Sequence, residues 1–182
     1  PVGLKLCVGN KLEVIEVFKQ IEKSGILPDF ISVDGAEGGT GAAPLEFSNA
    51  VGMPLKDGLS FVSSLIDQYG LRDNVKIIAS GKSLTGFHMI RNFGLGADIV
   101  NSARGMMLAL GCIQALRCHS NHCPVGITTN DPELVAGLDV DSKAIRVKNY
   151  HGETIKVVKS LLTAMGRQRP QQVGLKDINQ RQ

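Results

Sequence analysis

Three of the chain's four cysteines, Cys112, Cys118 and Cys123, fall within twelve residues at spacings of six and five. Such crowding favours a metal or redox role, because the thiolate is the form that binds metals. A helix advances about 100° per residue, so six residues put Cys112 and Cys118 on different faces of any continuous helix. They share one centre only if the helix ends between them and the chain folds back. His119-Ser120-Asn121-His122-Cys123-Pro124 supplies a polar, proline-closed loop of that kind. Three thiolates suit an iron–sulfur cluster. Zinc wants a fourth ligand, which His119 or His122 offers. Inert buried thiols are the third reading, and Cys7, within a strand-like run, reads as core.

Two other segments have the chemistry of a phosphate grip. A phosphate dianion needs several backbone N–H groups and a positive partner in a small volume, and a helix N-terminus adds partial positive charge. Ser80-Gly81-Lys82 and Asn101-Ser102-Ala103-Arg104-Gly105 each sit between a strand-like and a helix-like run. Either alone reads more readily as a plain turn. Two on successive strand ends, with Gly96-Ala97-Asp98 between them, point to one shared site.

A third segment, Asp34-Gly35-Ala36-Glu37-Gly38-Gly39-Thr40-Gly41, is glycine-rich enough to expose N–H groups and wrap a ring system or a carboxylate. Asp34 and Glu37 could orient a substrate or hydrogen-bond the loop itself. Lys5 stands mid-strand in an apolar run, where it points either into a barrel mouth or out to solvent.

The elements that must position these groups alternate strand with helix. Strands are expected at 4–8, 30–33, 75–79 and 99–101. A helix starts at Asn10, with Glu13 completing a capping box and Leu12, Ile15, Phe18 and Ile21 as its apolar stripe, and Gly25 ends it. Further helices are expected at 57–69, around Phe87, Ile90 and Phe93, at 106–116 and at 145–165. This order argues for a parallel α/β structure. A doubly wound sheet places its phosphate loop after the first strand, whereas a (β/α)8 TIM barrel places it after strands seven and eight. The pattern predicts the second half of a barrel, about four βα units, with the preceding strands outside this chain. The expected divisions are a half-barrel over 1–110, a cysteine segment over 111–135, a helical extension over 136–166 and a polar tail over 167–182.

Bulk composition excludes more than it selects. The 182 residues are 43% hydrophobic and 20% charged, with a formal charge of +3, which fits one folded domain and not a disordered chain. Scattered basic residues give no nucleic-acid stripe. No apolar run is long enough to span a bilayer, and a cytoplasmic setting is expected. Four cysteines are too few for a disulfide scaffold, and the 21 glycines suggest loops that approach a ligand closely.

Taken together, KLCVG (residues 5–9), DGAEGGTGAAP (34–44), GLRDNVKIIASGK (70–82) and above all GCIQALRCHSNHCPVGITTNDPEL (111–134) resemble the synthase domain of the glutamate synthase family. The similarity runs from about residue 4 to 165 and is nearest to short, flavin-only members. It implies an FMN-binding barrel with a 3Fe–4S cluster that passes electrons to the flavin. The implied reaction is reduction of the imine of 2-oxoglutarate and ammonia to glutamate. By position, Cys112, Cys118 and Cys123 are the implied cluster ligands, and Ser80, Gly81, Lys82, Ser102, Ala103 and Arg104 hold the FMN phosphate. Lys5 matches a lysine beside the flavin and substrate, where the N1/O2 edge favours a cation. Gly38, Gly39 and Thr40 match the loop along the flavin. Lys5 and Glu37 are the implied catalytic residues. Two positions depart from the family pattern: Ser80-Gly81-Lys82 replaces a DGG-like turn, and Glu37 stands where aspartate is usual.

Implied partners are ammonia or glutamine-derived ammonia, and an electron donor such as ferredoxin or an NADPH-linked subunit. An open half-barrel further implies self-association or a complementing half-barrel. Two readings compete. One is another phosphate-binding barrel such as an IMP dehydrogenase relative, whose nucleophilic cysteine after strand six is missing here. The other is a non-catalytic half-barrel with a structural zinc. The leading reading requires the three thiols to converge beside a mouth whose last two strand tips clasp FMN.

Overall fold

Asn10 opens the first helix as the capping pattern predicts: its Oδ1 accepts from Leu12 N–H at 2.9 Å, and Glu13 Oε1 accepts from its amide at 3.4 Å. That helix, α1 (Lys11–Ser24), stops at Gly25, whose φ of 68° suits glycine, with its N–H returning to Ile21 O at 3.0 Å. The buried stripe is Val14, Phe18 and Ile21, while Leu12 is 73% exposed. Of the expected stripe, Phe18 and Ile21 are buried and Ile15 packs half-buried against the core, while Leu12 faces solvent and Val14 takes its place.

The computed structural model describes residues 1–38, 43, 44, 47 and 49–178. Its strands are β1 (Gly3–Cys7), β2 (Phe30–Asp34), β3 (Lys76–Ser80) and β4 (Ile99–Asn101). The helices after α1 are α2 (Leu55–Gln68), α3 (Gly86–Gly94), α4 (Ala103–Leu110), α5 (Pro132–Val135) and α6 (Val140–Ala164). A 3-10 turn, Ala36–Gly38, follows β2. Helix α4 is shorter than expected because Gly111, at φ 104°, ends it before the cysteines begin. Helix α6 starts earlier than expected because Asp139 caps it, accepting from Ser142 N–H at 2.6 Å.

All four strands are parallel and paired in chain order, β1-β2-β3-β4. A doubly wound sheet reverses its order at a switch point; this one does not. Strand alternation gives the sheet two different faces. Ile31, Val33, Ile77 and Ala79 point toward α1 and α2 and form the core with Val14, Phe18, Leu59, Val62 and Ile66. The other face carries Lys5, Cys7, Ser32, Asp34, Ile78, Ser80, Ile99 and Asn101. Ile99 is 50% exposed there. Helices on one face and an uncovered, partly polar other face fit four consecutive units of a (β/α)8 barrel, as the sequence pattern predicts.

A second apolar cluster joins Ile90 of α3 to Val158 and Leu162 of α6 and to Val173 beyond it. The segment after residue 166, expected as a polar tail, therefore folds back. Val173 is buried, Arg167 Nη2 donates to Asp177 Oδ1 at 2.8 Å, and Gly174 N–H donates to Asp177 Oδ2 at 3.0 Å. Among the described residues, no helix is long and apolar enough to cross a membrane.

Arg167 foremost, then the Gly174 N–H, hold the Asp177 carboxyl below its ordinary value. A depressed carboxyl stabilises the fold above its unfolded pKa and loses that contribution as pH falls through the folded value. The methyl NMR shifts of Val173 and Ile178 should stay constant down to about pH 4 and move only below it. Asp177→Asn should remove the transition. Shifts that are unchanged at lower pH would show that this ion pair does not hold the segment.

Candidate functional site

The parallel register brings the strand tips level: Cys7 pairs with Asp34, Asp34 with Ser80, and Ser80 with Asn101. Every segment singled out for chemistry except the last two cysteines leaves the sheet from this edge or one short helix beyond it. Gly35 N–H donates to Ser80 O at 2.8 Å, so the ladder continues one residue into the loops. A side chain at Gly81 would meet Gly35 N and Leu55 at 3.2 Å, which explains why glycine is needed between the two loops. Lys82 follows at φ 44°, a left-handed conformation that costs a non-glycine residue roughly 1–2 kcal/mol. Its Nζ donates to Asn49 Oδ1 at 2.9 Å, and Asn49 N–H donates to Ala36 O at 3.3 Å. The β3–α3 turn is thus tied to the loop after β2.

The β3–α3 turn is also held from behind. Ser83 and Asn92 are buried, and Asn92 Nδ2 donates to Ser83 Oγ at 2.8 Å. Leu84 N–H donates to His88 Nδ1 at 3.2 Å, and burial, with Arg91 adding, pushes that imidazole below its ordinary value, so it stays the neutral acceptor. Ser102, at the end of β4, donates from Oγ to Ser83 O at 2.6 Å. Tyr150 of α6 donates to Leu84 O at 2.7 Å. Among the described residues, the N–H groups of Gly81, Lys82 and Ser83 have no acceptor. The first N–H groups of α4, at Ala103 and Gly105, lack helical partners by construction. These orphaned donors, with Lys82 and Arg104 on the same two turns, make the chemistry of an anion site. The sequence reading missed Ser83, Asn92, His88 and Tyr150, none of which stands in a recognisable motif.

Lys5 lies on the uncovered face of the sheet, the inward side of the expected barrel. It pairs with Asp34 Oδ2 at 2.9 Å, with its own side chain 70% exposed. A pair this open adds little stability, so Lys5 can exchange that partner for another anion. Cys7 is not in the core: it is exposed beside Lys5 at the tip of β1. Partial desolvation raises its thiol above the ordinary value, opposed by a backbone hydrogen bond of Met53 and reinforced by Asp34 and Glu37. Both carboxylate oxygens of Glu37 lie 3.0 Å from Leu55 N, the first N–H of α2, which has Pro54 and no side-chain cap of its own. Glu37 therefore caps a helix, and this geometry gives no support to the catalytic role expected of it. Gly38 ends the 3-10 turn, while Gly39 and Thr40 lie outside the described residues.

The three clustered cysteines begin just past α4. Cys112 Sγ accepts from Gln114 N–H at 3.4 Å. Gln114, Leu116 and Asn121 have φ of 57°, 55° and 63°, an accumulation of left-handed residues that marks a constrained loop. The loop is clasped by Asn121, whose O accepts from Thr129 Oγ1 at 2.6 Å and whose Oδ1 accepts from Asn130 N–H at 2.7 Å. Cys123 is buried, yet its thiol is lowered to about 7. The Thr128 N–H leads, those of Val125 and Ile127 add, and burial opposes. N–H donors aimed at sulfur favour the thiolate, as ligation requires. Among the described residues, no three His, Cys, Asp or Glu side chains are grouped to hold a metal ion. Donor chemistry thus fits thiolate ligation, and among the described residues neither the three thiols nor thiols with His119 or His122 are grouped as a preformed metal site.

A family model described as "Conserved region in glutamate synthase" matches residues 1–168. The glutamate synthase large subunit-like protein YerD of Bacillus subtilis is 51% identical over 82% of this chain and 29% of that protein. The archaeal glutamate synthase [NADPH] of Methanocaldococcus jannaschii is 39% identical over 76% of this chain and 27% of that one. A ferredoxin-dependent glutamate synthase of Pyropia yezoensis is 40% identical over 59% of this chain and 7% of that one. A flavocytochrome b2 mutant of known structure aligns over 87% of this chain and 36% of that one at 20% identity, with a TM-score of 0.41, too low to carry an argument. The chain belongs to the glutamate synthase family, and it spans less than a third of the length of these curated relatives.

If Glu37 is a cap, Glu37→Ala should lower stability by about 1–2 kcal/mol in urea unfolding, and Glu37→Gln should recover most of the loss. Equal losses in the two variants would indicate that its charge, not its acceptor oxygens, matters.

Proposed function

We propose that this chain forms the second half of an FMN-binding barrel in an oxidoreductase that reductively aminates 2-oxoglutarate to glutamate. The observation that carries the reading is the pair of neighbouring strand-tip turns, joined through Ser102 and Ser83 and bearing unpartnered N–H groups. Ser80, Gly81, Lys82, Ser102, Ala103 and Arg104 would make up the phosphate site. Gly81 to Ser83 and the start of α4 donate N–H groups there, and Lys82 and Arg104 supply charge. Gly38, Gly39 and Thr40 would follow the flavin. The carboxylate that a DGG-like turn would place beside the ribityl chain is replaced by the Ser80 hydroxyl.

Cys112, Cys118 and Cys123 would hold a 3Fe–4S cluster, a reading supported by their sequence context and by the N–H groups around Cys123. When bound, FMN supplies hydride chemistry and the cluster one-electron chemistry. Lys5 contributes the cation. Released from Asp34, its ammonium would balance negative charge on the substrate carboxylate or the flavin edge. Glu37 acts at a distance, holding α2 and the loop after β2 in place. Ammonia, free or derived from glutamine, is the nitrogen source. The relatives named for ferredoxin and NADPH support a donor of one of those kinds.

A complementing half-barrel would cover the bare sheet face. It would also fill the groove of about 760 Å³ that Val2, Leu4, Val17, Ile21, Ile26 and Leu27 line along the free edge of β1.

Anaerobically purified full-length protein should show flavin absorbance and about three irons with sulfide per chain, in line with three cysteinyl ligands. Cys118→Ser should lower the iron content while leaving flavin bound. Zinc in place of iron would reject the cluster. Lys5→Met should lower kcat/KM by about 100-fold or more with FMN content unchanged, and full activity in that variant would remove Lys5 from the mechanism.

A further inference from the structure

We propose that Tyr150 is a positioning residue of the phosphate grip, fixing the β3–α3 and β4–α4 turns relative to each other so that both present N–H groups to one phosphate. The inference rests on the flavin reading above. Tyr150 lies on α6, 66 positions along the chain from Leu84, whose carbonyl accepts its hydroxyl proton at 2.7 Å. The same hydroxyl stands 3.3 Å from Ser102 Oγ. Ser102 Oγ in turn donates to Ser83 O at 2.6 Å. Two hydroxyls from two different elements thus engage consecutive carbonyls of one turn, at Ser83 and Leu84.

Three consequences follow from this arrangement. First, the Ser102 proton is committed to a protein carbonyl, so Ser102 orders the site and leaves anion binding to the backbone of the two turns. Second, Gly105 in the first turn of α4 must be glycine, because a Cβ there would run into the Tyr150 hydroxyl. Third, the Ser83 and Leu84 carbonyls are both occupied by hydroxyls, so the turn is held from two elements at once. The tie is not enforced by packing alone. A cavity of about 470 Å³, bordered by Leu84, Gly105, Leu108, Arg146 and Tyr150, leaves room for the ring and the turn to relax once the hydroxyl is gone.

Tyr150→Phe keeps the ring against Gly105 and removes only the hydroxyl. The test compares FMN with riboflavin, which lacks the phosphate, by titrating the apo form of the full-length protein and following flavin fluorescence. Loss of one ordering hydrogen bond should weaken FMN about five- to tenfold while riboflavin affinity stays unchanged and Tm falls by only about 2–4 °C. Ser102→Ala should do the same, and the double variant should lose less than the product of the two single losses. If Tyr150→Phe does not fold, Gly105→Ala, whose Cβ would displace the Tyr150 hydroxyl, takes its place in the comparison. Unchanged FMN affinity, or equal losses for FMN and riboflavin, would overturn the role of Tyr150 while leaving the flavin site standing. A wild-type protein that binds FMN no better than riboflavin would overturn the phosphate reading and this inference with it.

Discussion

Everything at the candidate site depends on the register of a four-stranded parallel ladder. Because Cys7, Asp34, Ser80 and Asn101 end level with one another, the loops that follow emerge side by side. A slip of one residue in any strand would turn its tip side chains to the helix face, since side chains alternate with a period of two. The buried aliphatic set Ile31, Val33, Ile77 and Ala79 makes such a slip costly by placing polar residues in the core instead. The Gly35 N–H bond to Ser80 O extends the same constraint past the last strand residue. The core therefore determines the site's geometry as directly as the site residues do.

Helix α4 connects the two chemistries. Eight residues long, it begins at the second phosphate-type turn and ends at Gly111, next to Cys112. At roughly 1.5 Å per residue, it sets a separation of about 12 Å between the turn and the first cysteine. Helix α6 packs along it at both ends, with Tyr150 against Gly105, and Lys143 and Arg146 against Gly111. Cations at the C-terminal end of α4 offset the negative end of its dipole. One helix pair thus spaces the β4–α4 turn from the thiol segment.

What was legible in the sequence was the part that local physics controls. Asn10 and Gly25 bracketed α1 because capping is a local event, and the aliphatic runs located all four strands. The glycine turns were legible because a close backbone approach excludes other residues, as at Gly81. Leu12 misled because periodicity fixes a stripe only to within one helical position and cannot say which neighbours cover it. Cys7 misled because an apolar strand residue reads as buried whether it faces a core or an open barrel side. Glu37 and Tyr150 were opaque for another reason. A carboxylate 18 positions from the N–H it caps, or a hydroxyl 66 positions from its carbonyl, leaves no periodicity to read. Val173 escaped likewise, because one apolar residue in a polar stretch gives no pattern.

The cysteine segment combines backbone strain with hydrogen-bond donors around one thiol. Left-handed backbone at Gln114, Leu116 and Asn121 costs roughly 1–2 kcal/mol per non-glycine residue, and Leu116 has no side-chain polar group to offset it. The Asn121 clasp to Thr129 and Asn130 holds one end of the loop in that conformation. A chain selected only for stability would relieve the cost with glycine or a longer loop. Retaining it makes sense if the conformation serves the thiols. Three N–H groups directed at Cys123 favour a thiolate in a buried position, where an unassisted thiol would be driven upward instead. A buried thiolate without a counter-charge is itself costly. Cys112 and Cys118, the one half-buried and the other exposed, flank that thiol on the same loop.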